Sequence, residues 1–285
     1  MTISWYPGHM HKANKEMARV VKEVDILIEI LDARMPHASS NPMLQKLRKD
    51  KPCLHILNKA DLAEPAITAQ WQQALASTPR DRALINSKDM KLQAADIIKQ
   101  CQQLAQMAGL RKPRKQAMII GIPNVGKSTL MNQIAGRKIA RTGNEPAITK
   151  SQQRIRLGDD WYLVDTPGVL WPKFADQDTA YRLACAGAIR NTAMEFEEVA
   201  LFAAEFLLRD FPHRLSKFYA LESLPAQPEE LLECIARKRG FLRNGNVDWH
   251  RIAELVLHDF RAGRLGPMSL ERPIIESPTE SPTPE

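Results

Sequence analysis

The sequence predicts an α/β domain on a parallel sheet over residues 1–177, an all-α domain over 178–268, and a disordered acidic, Pro-rich tail over 269–285. Three observations predict it. Short β-branched runs alternate with helical segments up to about residue 177, the pattern of a parallel sheet covered on both faces. Beyond that point strand-like runs vanish and helical periodicity dominates. The last fifteen residues hold four Pro, four Glu and one Arg and cannot bury a core.

The elements follow in order. Val24–Leu31 is apolar and β-branched, with a turn-prone Asp32-Ala33-Arg34-Met35-Pro36 after it, and reads as the first strand. Cys53–Leu57, entered through Pro52, is the second. Leu84-Ile85 is a short third, Ala117–Gly121 a fourth and Trp161–Val164 a fifth. Helical segments fill the intervals: His9–Lys22, Pro42–Lys49, Pro65–Ala76, Lys91–Ala108 and Lys127–Ala135. In the second domain Glu197–Leu208 is one helix. Pro228–Arg239 opens on proline and has Gly240 just past its end. Trp249, Ile252, Ala253, Val256, Leu257 and Phe260 fall on a single helical face.

Composition narrows the class. A chain of 285 residues has room for about two domains. With 44% hydrophobic and 26% charged residues it is neither a disordered chain, a collagen-like fibre nor a coiled-coil rod. No apolar run approaches a membrane span, and Met1–Pro7 lacks the basic-then-apolar pattern of a signal peptide. The four cysteines show no C-x-x-C and no metal spacing, so reduced, mostly buried thiols of a cytosolic protein are expected. The net charge is +7 with a pI of about 9.3. Because Glu271–Glu285 carries four Glu against one Arg, the preceding residues carry +10. Basic clusters at 111–115, 137–156 and 237–251 raise the expectation of a polyanionic partner. Spacing alone does not choose among RNA, DNA and a membrane surface.

The chemistry is carried by a phosphate loop. Gly121-Ile122-Pro123-Asn124-Val125-Gly126-Lys127-Ser128 fits G-x-x-x-x-G-K-[ST], after a strand and before a helix as that motif requires. Its glycines let successive N–H groups turn toward phosphate oxygens, and the helix N-terminus adds partial positive charge. Asn124, Val125, Gly126, Lys127, Ser128 and Thr129 are the expected contacts, with Lys127 on the β- and γ-phosphates and the Ser128 hydroxyl on Mg²⁺. About forty residues on, Asp165-Thr166-Pro167-Gly168 follows a strand. Asp165 at a strand end can hold Mg²⁺ through water, and the Gly168 N–H can reach the γ-phosphate. Between them, Thr149 is the best candidate to complete the Mg²⁺ shell, with Thr142 and Thr166 as nearby alternatives. A loop ordered by the γ-phosphate and released on hydrolysis would be the switch.

Guanine selectivity is written upstream. Asn58-Lys59-Ala60-Asp61 follows the second strand. The Asp61 carboxylate can accept from guanine N1–H and N2–H₂ together, which adenine does not offer in that geometry. Lys59 can lay its stem over the base and Asn58 can tie this loop to the phosphate loop. Asn86-Ser87-Lys88 follows the short third strand and can place a backbone N–H on the guanine oxygen.

GTPases resembling Ras run in the order phosphate loop, switch Thr, Asp-x-x-Gly, Asn-Lys-x-Asp, Ser-Ala-Lys. Here the last two come first, the signature of a circularly permuted GTPase domain. Together with Trp5-Tyr6-Pro7-Gly8-His9-Met10 and Asp32-Ala33-Arg34-Met35-Pro36, this order resembles the bacterial ribosome biogenesis GTPase A family (YlqF-type), over nearly the whole chain to about residue 265. Departures are few. Tyr6 stands where Phe is usual, Asn86-Ser87-Lys88 replaces Ser-Ala-Lys, and Ala147-Ile148 precedes Thr149 where Gly-Val is common. The resemblance implies a cytoplasmic GTPase that binds GTP/GDP and acts in late assembly of the large (50S) ribosomal subunit. It also implies ribosomal RNA binding and hydrolysis stimulated by the ribosome.

Ras-like enzymes orient the attacking water with a Gln after Asp-x-x-Gly. Here Val169 and Leu170 follow, and neither can hydrogen-bond water. His9 is the candidate in this chain, and the resembling family points to the matching His; a helix-capping His is the alternative. Asn124 resembles the Asn that ligates K⁺ in potassium-stimulated GTPases, with a plain turn residue as its alternative. With these assignments the basic clusters fall to ribosomal RNA rather than to DNA or membrane, and a monomer is expected. A non-enzymatic RNA-binding scaffold using GTP as a structural ligand is the competing reading.

Overall fold

The computed structural model describes residues 8–137, 154–157, 160–166, 170–171, 174, 176–189 and 194–274, with the backbone alone over 8–14. Helix α1 (Gly8–Glu23) leads into β1 (Ile26–Asp32), followed by the short α2 (Pro36–Ser39) and α3 (Pro42–Arg48). Then come β2 (Cys53–Asn58), a 3₁₀ turn (Ala60–Leu62), α4 (Pro65–Leu75), β3 (Asp81–Ile85) and α5 (Ala94–Met107). The domain closes with β4 (Lys115–Gly121), α6 (Lys127–Ala135), β5 (Arg154–Leu157) and β6 (Trp161–Asp165).

The six strands form one sheet in the order β3-β2-β1-β4-β6-β5. All neighbours run parallel except β5, which pairs antiparallel with β6 at the edge. The chain moves outward from β1 to β3, then returns to start β4 on the other side of β1. The carboxyl ends of β1 and β4 therefore flank a switch point, where α/β sheets bind ligands.

Alternation along the strands fills both faces. Ile26, Ile28, Ile30, Leu54, Ile56 and Ile119 face one side, where α5 and α6 cover them with Ile97, Leu104, Leu130 and Met131. Leu27, Cys53, Met118, Ile120 and Val164 face the other, under Met17, Val20 and Val21 of α1 and Leu44 of α3. The first of these cores continues into the second domain through Leu183, Val199, Leu207, Leu257 and Phe260.

The second domain comprises α7 (Gln177–Cys185), α8 (Phe196–Asp210), α9 (Pro212–Tyr219), α10 (Pro228–Arg239) and α11 (Trp249–Arg261). A two-residue hairpin, β7 (Leu242–Arg243) with β8 (Asn246–Val247), interrupts the helices between α10 and α11. Ile252, Ala253, Val256, Leu257 and Phe260 are buried as the spacing predicts, but Trp249 at the start of that face is 40% exposed. No helix among the described residues is long and apolar enough to cross a membrane.

The tail predicted from 269 begins too early. Ser269 and Glu271 are buried, and residues 268–271 return to the first domain. Met268 N donates to Leu62 O at 2.8 Å and Leu270 N to Arg34 O at 2.7 Å. Ser269 Oγ accepts from Glu64 N at 3.1 Å. The Glu271 carboxylate accepts from the amides of His37 and Ala38 and from Arg182 Nη1, at 2.8–3.2 Å. The charge that marked Glu271 as tail-like is thus neutralised by an α7 arginine and two backbone donors. Residues 275–285 lie outside the described residues.

One buried charge cluster makes stability depend on pH. His55 Nδ1 lies 3.2 Å from Glu29 Oε2 on the neighbouring strand, as an ion pair off the line of a hydrogen bond. His55 Nε2 lies 3.6 Å from Asp81, which Arg48 also holds. Burial alone would lower the imidazole pKa, but the Cys53 sulfur and the Asp81 and Glu29 carboxylates outweigh it and hold the pKa well above 6.5. The folded state therefore keeps a proton that the unfolded chain releases. This stabilisation is complete below about pH 6.5 and is lost as pH rises through the folded value. The urea midpoint is expected to fall between about pH 6 and pH 9, and His55→Gln to remove that component of the slope.

Candidate nucleotide site

Five parallel strands end on the same side of the sheet, and each delivers a polar motif there. Strand β1 ends in Asp32, β2 in Asn58, β4 in Gly121 and β6 in Asp165, while Asn86 follows β3 directly. Segments more than a hundred residues apart in the chain are thereby brought to one edge.

The phosphate loop closes over the end of β4. Asn124 (φ 57°) and Gly126 (φ 98°) take left-handed backbone conformations, which curl the loop back before α6 begins at Lys127. A Cβ on Gly121 would lie 2.9 Å from Ile30 O, and one on Gly126 would collide with the Asn58 amide. Gly121 is therefore demanded by packing, and Gly126 by packing as well as by its left-handed backbone. Lys127 is buried, and its Nζ lies 3.0 Å from Asp165 Oδ1. Asp165 Oδ2 is buried and has no hydrogen-bond partner among the described residues. The site thus holds one lysine and one half-satisfied carboxylate at the mouth of a phosphate-shaped loop.

The Asn58–Asp61 segment leans directly on that loop. Asn58 Nδ2 donates to Val125 O at 2.7 Å, and Asn58 Oδ1 accepts from Asn86 Nδ2 at 2.6 Å. Asn86 Oδ1 in turn accepts from Leu92 N at 3.0 Å and from Gln133 Nε2 of α6 at 3.2 Å. Asn86 thus serves the scaffold with its side chain. Ala60 N donates to Asn86 O at 3.1 Å, which sets the turn that presents Asp61. The Asp61 carboxylate accepts from Lys88 N at 3.2 Å and lies 3.5 Å from Lys88 Nζ. Ser87 N closes a small turn on Met90 O.

Sequence reasoning missed the anchor of Lys59. Its ammonium lies 3.1 Å from Asp32 Oδ2, and Asp32 also takes a bidentate pair from Arg34 at 2.9 and 2.8 Å. Burial raises the Asp32 pKa, but the Arg34 guanidinium and Lys59 ammonium outweigh it and hold the carboxyl well below the usual range. Asp32 and Arg34 belong to the Asp-Ala-Arg motif visible in the sequence, but spacing gave no sign of what they touch.

Other predicted residues fall as follows. Ser128 and Thr129 open α6 beside Lys127. Asn124 Nδ2 donates to Gly187 O at 2.8 Å, so the phosphate loop touches the turn after α7. Thr166, one alternative for the Mg²⁺ shell, has its hydroxyl on Ile119 O at 2.8 Å and is buried, a structural position. The side chain of His9, and the whole of Thr142, Thr149 and Gly168, lie outside the described residues.

Residues 116–206 match the family model described as 50S ribosome-binding GTPase. Two solved structures share the fold: GNP-bound YlqF from T. maritima and GDP-bound TM YlqF. Each has a TM-score of 0.64 at 25% identity, covering 92% and 90% of this chain and 99% of the neighbour. The class is thereby defined: a guanine-nucleotide-binding, circularly permuted P-loop GTPase, with Asn58-Lys59-Ala60-Asp61 ahead of its phosphate loop. Ribosome biogenesis GTPase A of Bacillus pumilus (strain SAFR-032) is 40% identical, over 96% of this chain and 99% of the relative. Mitochondrial ribosome-associated GTPase 1 of Mus musculus is 33% identical, over 95% and 90%. The chain belongs to the ribosome biogenesis GTPase A family.

Proposed function

We propose that this chain is a cytoplasmic, monomeric GTPase switch in late assembly of the large ribosomal subunit, binding ribosomal RNA and hydrolysing GTP when the subunit stimulates it. The observation that carries the reading is the Asn58 side chain, which joins the guanine loop to the phosphate loop and to Asn86. Relatives named for ribosome biogenesis and ribosome association support the partner.

In this reading Asp61 accepts from the guanine N1–H and N2–H₂, Lys59 walls the base and the Ser87-Lys88 backbone meets its oxygen. Lys127 leaves Asp165 for the phosphates, while the amides from Asn124 to Thr129 and of Gly168 cradle them. The unpartnered Asp165 Oδ2 and the Ser128 hydroxyl at the start of α6 suit a hydrated Mg²⁺, with Thr149 completing the set. Held there, Mg²⁺ would supply positive charge against the phosphates. Asn124 is the K⁺ ligand, in the phosphate loop where its Nδ2 donates to Gly187 O.

Part of the positive charge serves the fold. Lys112 pairs with Asp25 at 2.7 Å, Arg237 with Glu233 at 2.5 Å, and Arg251 stacks on Phe241 at 4.3 Å. Exposed Arg239 and Arg243 support the α10–α11 side as the RNA-facing surface.

His9 positions the attacking water. His9→Ala is expected to keep GDP and GTP affinity while losing stimulated turnover by about 100-fold. Loss of binding instead would refute that role. The function as a whole is tested by co-sedimentation with small and large subunits, in a GTP analogue and in GDP, with turnover measured alongside. Preferential pelleting with the large subunit in the analogue, with a raised rate, is expected. Equal pelleting in both nucleotides and an unchanged rate would leave only a scaffold.

A further inference from the structure

Asp32 sits outside every nucleotide-binding motif, at the buried end of β1. Its two oxygens are fully engaged: Oδ1 by Arg34 Nε at 2.9 Å and Arg34 N at 3.2 Å, Oδ2 by Arg34 Nη2 at 2.8 Å and Lys59 Nζ at 3.1 Å. Arg34 is itself fixed, with its guanidinium 5.6 Å from the Phe260 ring and its carbonyl accepting from Leu270 N. Neutralising Asp32 needs one cation, and Arg34 supplies it. Lys59 is a second cation, drawn across from the guanine loop, on a residue whose backbone is held left-handed at φ 58°. Left-handed backbone on a non-glycine residue is costly and persists where surrounding contacts impose it, commonly at functional sites. A free lysine stem has four rotatable bonds to order when a ligand arrives. Here the ammonium is already pinned at one end and the loop at the other, by Asn58 on Val125.

We propose that Asp32 is a positioning residue for nucleotide binding, holding the Lys59 ammonium so that the lysine stem is a preformed wall of the guanine pocket. This rests on Asn58–Asp61 being the base loop. The specificity itself stays with Asp61; Asp32 acts on affinity, by removing the disorder that Lys59 would otherwise lose on binding.

The test is a double-mutant cycle on GDP affinity, read with fluorescent GDP, with thermal midpoints measured beside it. Lys59→Met and Asp32→Asn are each expected to weaken GDP about 10-fold, and the double variant to weaken it no further. Arg34→Met, which leaves the Asp32–Lys59 contact in place, is expected to lower the midpoint while leaving GDP affinity within about 2-fold. Multiplying losses in the double variant, or an equal loss of affinity in Arg34→Met, would overturn the proposal. Should Asp32→Asn fail to fold, Lys59→Met and Lys59→Arg decide. Loss in the first and recovery in the second are expected, because an arginine still reaches Asp32. Equal affinity in both variants and the parent would overturn it. The base-loop reading is checked separately by exchanging Asp61 and comparing guanine with xanthine nucleotides. A base switch there, with no effect at residues 32 and 59, sinks the positioning role alone.

Discussion

Asp61→Asn is expected to cut GDP affinity by about 1,000-fold and to give measurable binding of xanthosine diphosphate. The carboxylate offers acceptors only, and guanine presents two donors side by side at N1 and N2. An asparagine keeps one acceptor and turns an NH₂ group toward the guanine NH₂, so two donors face each other without a partner. Xanthine carries a carbonyl at that carbon, and the new NH₂ can donate to it. The exchange should be nearly silent for folding. Asp61 lies on the short turn Ala60–Leu62 and, among the described residues, meets Lys88 through a 3.2 Å backbone contact and a 3.5 Å ion pair to an exposed lysine. A pair of that kind contributes little in water. Titration with GDP, inosine diphosphate and xanthosine diphosphate decides the matter. Inosine diphosphate, which lacks the N2 group, should bind the parent less tightly than GDP does. An unchanged preference for guanine in Asp61→Asn would place base recognition elsewhere.

What could be read from the sequence was what has a local cause. Ile26–Asp32 and Lys115–Gly121 are strands because β-branched runs end at turn residues, and Lys127–Ala135 is a helix because the phosphate loop must deliver one. The contact from Asn58 to the phosphate loop follows from motif chemistry alone. Whatever depends on a distant partner was hidden. Arg154-Ile155-Arg156 does not look like a strand until β6 offers it an edge, and its outward arginines suit an edge that must not pair further. Pro212–Tyr219 and Gln177–Cys185 are short, and their apolar residues make sense only against packed neighbours, α8 for both and also α2 and α11 for the second. Glu271 reads as tail because composition cannot show that Arg182 and the amides of residues 37 and 38 await it. Trp249 obeys the period of its helix but sits at its first residue, where it stays 40% exposed. The Asp32–Lys59 contact joins two strand ends whose adjacency is a property of the sheet order, not of either motif.

Lys127→Met is expected to do two separable things. Nucleotide affinity should fall by at least about 100-fold, because in the function proposed the lysine is the cation that the loop brings to the β- and γ-phosphates. The apo protein should also lose about 3 kcal/mol of stability. Lys127 and Asp165 are 6% and 1% exposed at the side chain and lie 3.0 Å apart. Removing the lysine leaves Asp165 buried with no cation beside it among the described residues, and its second oxygen already lacks a partner. Replacing both members of such a pair costs far less than replacing one, since no charge is then stranded. Lys127→Met combined with Asp165→Asn should therefore recover most of the stability, measured by urea unfolding. It should recover none of the nucleotide binding, because neither the phosphate cation nor the Mg²⁺-side carboxylate returns. Recovery of both together would mean that Lys127 had acted only through the fold. Recovery of stability alone assigns the pair two roles: each group neutralises the other in the empty site, and each is released to the nucleotide when it binds.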